Sequence, residues 1–113
     1  MFPKNADSAL VEQVVADVNA APPEIAINVV ENYLSVNPVE MLKEVRVPIR
    51  AINSDKPPTN LENNQKHAAS FELKLMPGVG HFVQLVDPAT FNRLLHETLD
   101  ELTGKSGAPV DEE

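Results

Sequence analysis

Two short apolar runs, "VPIRAINS" at 47–54 and "FELKLM" at 71–76, constrain this chain more than any other feature. The first is rich in β-branched residues, nearly continuous in apolar side chains, and barred from helix by Pro48. That pattern predicts a strand buried on both faces, as in a parallel sheet. The second alternates Phe71, Leu73 and Leu75 against Glu72, Lys74 and Met76, which predicts a half-exposed strand with the first set inward. Residues 55–70 lie between the runs, too many for a tight hairpin and enough for a helical crossover. Thr59 and Glu62 have the spacing of a capping box, so a helix should run from about residue 60 to 69. Strand, helix and strand in this order favour two parallel strands with a right-handed crossover, an α/β arrangement.

The flanking segments read as helices. Asp7 or Ser8 can cap a first helix whose Leu10, Val11, Val14, Val15 and Val18 share one face. "APPE" at 21–24 stops it, and Pro23 suits the first turn of a second helix carrying Ile25, Ala26, Val29, Val30, Tyr33 and Leu34. Asn37-Pro38 opens a short third helix through Met41 and Leu42, and Asp87-Pro88 opens a closing helix. That last helix should turn Phe91, Leu94, Leu95, Leu99 and Leu102 inward. The organisation expected is a helical segment at 1–44, an α/β core at 45–102 and a frayed polar tail at 103–113.

Charge and composition exclude several function classes. The net charge of −8 and nine scattered basic residues give no phosphate-tracking surface, so no nucleic-acid partner is expected. No apolar run reaches membrane-spanning length, and the start "MFPKNADS" lacks a secretion-signal layout, so no membrane partner and a cytoplasmic location are expected. The absence of cysteine removes thiolate chemistry and disulfides. Three His accompany many carboxylates without a recognised zinc spacing, so neither metal nor other cofactor is expected.

In open α/β sheets, chemistry sits on loops at the carboxyl ends of strands. Two such loops exist here: one carries Asp55 and the other, "MPGVGHF" at 76–82, carries His81 between apolar neighbours on a double-glycine turn. A carboxylate that accepts from one imidazole nitrogen fixes the tautomer and leaves the other nitrogen to take a proton. Taken singly, each residue has an ordinary alternative. A loop His is commonly just exposed, and Asp after a strand commonly bonds nearby amides in a turn. His67 late in a helix is favoured there as a cation, and His96 with Asp100 is a solvated pair.

"VPIRAINSD", "MPGVGHF" and "DPATFNRLL", in this order and spacing, resemble the C-terminal part of an α/β-hydrolase. The resemblance covers residues 45–102, and residues 1–44 look like the end of the cap region. It implies that His81 is the general base and Asp55 the acid of a catalytic triad. Many family members carry glycine where Asn53 stands and the acid three residues later, where this chain has Lys56. The acid is therefore Asp55 on a loop one residue shorter, or it is missing or supplied elsewhere. No G-x-S-x-G nucleophile elbow occurs in the sequence, nor does the loop that supplies an oxyanion-hole amide. The resemblance thus implies a portion of a hydrolase of esters, amides, epoxides or similar bonds, acting on a small-molecule substrate only in the intact enzyme. The competing expectation is a non-catalytic small domain. Its two-face apolar strand would leave an unpaired edge that recruits a second copy or a protein partner.

Overall fold

The computed structural model describes residues 1–104, and the expected tail lies outside the described residues from residue 105 onward. The chain runs α1 (Ser8–Asn19), α2 (Pro23–Tyr33), α3 (Pro38–Glu44), β1 (Ile49–Asn53), α4 (Leu61–His67), β2 (Phe71–Leu75), α5 (Val83–Val86) and α6 (Pro88–Thr103). The class is α/β. β1 and β2 are directly hydrogen-bonded neighbours and parallel, with Ile49 opposite Phe71 and Asn53 opposite Leu75. The ladder continues at both ends through Ile49 N–H to the Ser70 carbonyl and Met76 N–H to the Asn53 carbonyl, each 2.8 Å.

Local chemistry sets most helix starts. Asp7 caps α1 by accepting the Ala9 N–H, and Asn37 caps α3 by accepting from Val39 and Glu40. Asp87 accepts the Thr90 N–H at the head of α6, and hydrogen bonds from Thr90 hold its carboxyl below the usual carboxylate range. Pro23, Pro38 and Pro88 each occupy a first turn, where a missing N–H costs nothing. Gly104 ends α6 in the left-handed conformation that helix termini favour.

Packing is built around the sheet. α4 lies on β2, α6 on β1, α5 on α6 and α3 on α4. Across the strands, Arg50 pairs with Glu72 at 3.2 Å. Lys74 of β2 reaches Glu101 of α6 at 2.8 Å and Glu97 at 3.7 Å, and its pKa is raised by the Glu101 carboxylate. These are surface pairs, so they orient α6 more than they stabilise it.

Several expectations are corrected. β1 spans 49–53, not 47–54, and is half-buried where burial on both faces was expected, because among the described residues α6 is the one helix packed extensively against it. α4 is capped by Asn60, which accepts the Asn63 N–H at 3.1 Å. Thr59 does not cap, because its hydroxyl accepts from the Asn53 side chain at 2.8 Å. The helix also stops at His67, since Ala68 is already extended towards β2. In "FELKLM" the alternation fails at its end: Leu75 is 50% exposed, and Met76, expected outward, is 2% exposed. Met76 stands one residue past the end of β2, where the strand's alternation no longer decides which side chain is covered. In α6, Leu95, Leu99 and Leu102 are exposed, and Thr98 is buried instead, its hydroxyl donating to the Leu94 carbonyl. A two-stranded sheet is too narrow to cover the whole leucine stripe. The short helix α5, absent from the sequence reading, fills the interval before Asp87.

α1 and α2 make no comparably extensive contact with other elements. No residue of α2 is buried. Ile25, Val29, Val30, Tyr33 and Leu34 are all exposed, while Glu24, Asn28, Glu31 and Asn32 occupy the opposite helical face. The accessible surface is 8856 Å². A compact monomer of this mass exposes roughly 6,100 Å². Apolar surface of this kind is ordinarily covered. Among the described residues, no helix is long and apolar enough to cross a membrane.

The inward turn at residue 76 is directly checkable. Met76→Ala should lower unfolding stability by about 2–3 kcal/mol in urea titration, whereas Leu75→Ala should cost less than about 1 kcal/mol. Equal losses would contradict the orientation described.

Candidate functional site

Parallel pairing sends the chain out of β1 and out of β2 at the same end of the sheet. β1 leads directly into Ser54 and Asp55, and β2 leads through Pro77, Gly78 and Gly80 to His81. Asp55 joins the two loops. Its Oδ1 accepts the Gly78 N–H at 2.9 Å and the Ser54 hydroxyl at 3.0 Å. The Gly78 amide first, and the Ser54 hydroxyl second, hold the Asp55 carboxyl below the usual carboxylate range. Ser54 is itself buried. The β1 loop is closed by the Asn53–Thr59 side-chain bond, and within it the Lys56–Pro57 peptide is cis.

The two glycines have separate reasons to be there. Gly78 (φ 77°) and Gly80 (φ 75°) both occupy the left-handed region that side chains disfavour. At Gly80 space is also lacking: a Cβ there would run into the Met1 carbonyl oxygen. That same carbonyl accepts the His81 N–H at 2.7 Å, and the Phe2 ring lies 5.3 Å from Phe82. The glycine turn thus lets the His81 loop lie flat against residues 1–2. The His81 ring meets Phe82 edge-on at 4.9 Å and stays exposed.

Between the loops is a cavity of about 250 Å³. Asn53, Ser54, Lys56, Pro57, Pro58 and Thr59 line it from the β1 side. Gly80 and His81 from the β2 side, with Val83 of α5, complete it. His81 is in the lining and Asp55 is not. The two residues share the rim, yet no hydrogen bond or ion pair joins them among the described residues. Oδ1 of Asp55 is occupied, so Oδ2 is the atom left to face a further donor.

The sequence reading found Asp55 and His81 but missed the residues that join and enclose them. The Gly78 amide, the Ser54 hydroxyl and Thr59 were invisible because their roles depend on register and loop closure. The position of "DKPPTN" directly after a strand was the one available signal that it borders a site. The other histidines stand apart: His67 is in the last turn of α4, and His96 lies exposed on α6. His96 and Asp100 form no ion pair among the described residues; Arg93 and Glu97, one turn apart, do, at 2.8 Å. Among the described residues, no group of three His, Asp or Glu is placed to hold a metal ion. Comparison with protein-family models, with curated proteins and with solved structures finds no match to this chain.

The Asp55 bridge carries a pH signature. Its folded pKa lies below the ordinary 3.8, so the bridge is fully present above that value and is lost as pH falls through the depressed one. The Gly78 amide resonance should shift as pH falls, with a midpoint below 3.8, and Asp55→Asn should remove that transition. A midpoint at or above 3.8 would contradict the bridge.

Proposed function

We propose that residues 45–102 are the C-terminal part of an α/β-hydrolase-fold enzyme, with His81 as general base and Asp55 as the acid that orients it. The observation that carries this reading is the Asp55–Gly78 bond of 2.9 Å, which ties the carboxylate's loop to the imidazole's loop on one rim of a parallel pair. In catalysis His81 turns about its side-chain torsions until one imidazole N–H donates to Asp55 Oδ2. The other nitrogen takes the proton of an attacking hydroxyl or water as that oxygen bonds to the electrophilic carbon. The proton then passes from the imidazolium to the leaving group. Asp55, whose pKa the Gly78 amide lowers further, stabilises the imidazolium without itself being protonated. The resemblance on "VPIRAINSD", "MPGVGHF" and "DPATFNRLL" supports this reading, as does the exposed position of His81 in the cavity wall. The nucleophile and the oxyanion amides then come from polypeptide outside these 113 residues.

The test is ester hydrolysis with and without that polypeptide. The 113-residue chain alone should show no His81-dependent turnover. The product of an upstream open reading frame encoding strand, G-x-S-x-G and helix, joined in frame to this sequence, should turn over. In it, His81→Ala should lower kcat about 10⁴-fold or more, with little change in KM. Turnover by the chain alone that His81→Ala abolishes would show the nucleophile to be within it. His81-independent turnover of the joined protein would remove the base assignment.

A second reading, a small self-associating domain, is favoured by a separate observation. The surface of 8856 Å² includes an entirely exposed apolar face on α2, and β1 has one edge unpaired among the described residues. On this reading the chain forms dimers or larger assemblies at tens of micromolar in sedimentation equilibrium. A monodisperse, cooperatively melting monomer at high concentration would count against it.

A further inference from the structure

We propose that the cavity between the β1 and β2 loops selects small organic monoanions, in particular a carboxylate, so that the substrate or its acyl portion carries one. The lining is the basis. It holds one ammonium, Lys56, one imidazole, His81, three neutral polar side chains, Asn53, Ser54 and Thr59, and no carboxylate. The chain has 17 Asp and Glu against 9 Lys and Arg, yet no acid lines this cavity.

After the Gly78 amide and the Ser54 hydroxyl, the Lys56 charge also helps to hold the adjacent Asp55 carboxyl below the usual range. It forms no ion pair among the described residues, where the pairs use Lys43, Arg50, Lys74 and Arg93. The carboxylate nearest to it in sequence, Asp55, is outside the lining and has Oδ1 committed to the Gly78 amide and the Ser54 hydroxyl. Lys56, Pro57, Pro58 and His81 are all exposed, so an anion here pairs with the ammonium in partial contact with water, where a charge-assisted hydrogen bond adds only modestly. The Thr59 hydroxyl supplies a further donor. One ammonium suits a single negative charge. Phosphate recognition ordinarily adds a guanidinium fork or a row of backbone amides, and no Arg lines this cavity. At about 250 Å³ the space is below the usual range for drug-sized ligands and fits a molecule of a few carbons.

The inference rests on reading this cavity as the substrate site, but it is tested by binding, so loss of hydrolysis and loss of anion binding remain separate results. The probe is butyrate, with the neutral isostere butyramide and inorganic phosphate as comparators. Each is titrated into the full chain at low ionic strength while backbone amide resonances are followed. Butyrate should give saturable shifts at Lys56, Thr59, Gly80 and His81, and butyramide should bind at least about tenfold more weakly. Lys56→Glu should weaken butyrate about tenfold or more and Lys56→Arg should retain it. Lys66→Glu, the same charge change on exposed α4, should alter it less than about twofold. Equal binding of butyrate and butyramide, no shift at these amides, or equal weakening by the Lys66 and Lys56 variants would each overturn the proposal. Phosphate binding tighter than butyrate would overturn the carboxylate assignment.

Discussion

The backbone hydrogen bonds that hold β1 beside β2 in parallel determine where every chemically useful side chain of this chain ends up. A parallel pair has both carboxyl ends on one side, so Asp55 and His81 must leave the sheet on the same rim. Had the strands paired as a hairpin, the same residues would sit at opposite ends and no cavity would form between their loops. The terminal ladder bond from Met76 to Asn53 then fixes the height of the second loop. From that height the Gly78 amide reaches the Asp55 carboxylate, and the glycine turn carries His81 on to the cavity wall.

Breadth is the opposing constraint. Two strands of five residues each offer little area for six helices to cover. The consequences are consistent across the molecule: β1 is half-buried, three leucines of α6 stay exposed, and α2 has no buried residue. An 11-residue helix with four β-branched residues is marginal in water without packing. Its exposed face therefore calls for a covering surface beyond the described residues. Both functional readings supply one, the first from the remainder of an enzyme and the second from another copy.

Much of the local architecture was legible in sequence because it depends on local chemistry. Asp7, Asn37 and Asp87 cap where side-chain oxygens precede helical spacing, and Pro23, Pro38 and Pro88 mark first turns. The parallel pair followed from the length of the connection. What stayed hidden depends on contacts between distant residues. Thr59 looks like a cap until Asn53 of the preceding strand takes its hydroxyl, and then Asn60 caps instead. Met76 looks like the outward member of an alternating strand, yet it stands just past the end of β2 and is buried. At the site, Asp55 and His81 were visible as residue types after strands. The Gly78 amide that lowers the Asp55 pKa, and the approach of Met1 that demands Gly80, were not.

The pairing itself is the claim on which the cavity, the bridge and the hydrolase reading depend. Scalar coupling across hydrogen bonds tests it most directly, because a coupling between the Met76 amide nitrogen and the Asn53 carbonyl carbon exists only when that bond is formed. A resolved coupling there, with another between Ile49 nitrogen and the Ser70 carbonyl carbon, is the predicted result. Absence of both, together with close α-proton contacts of the antiparallel kind between 49–53 and 71–75, would contradict the account.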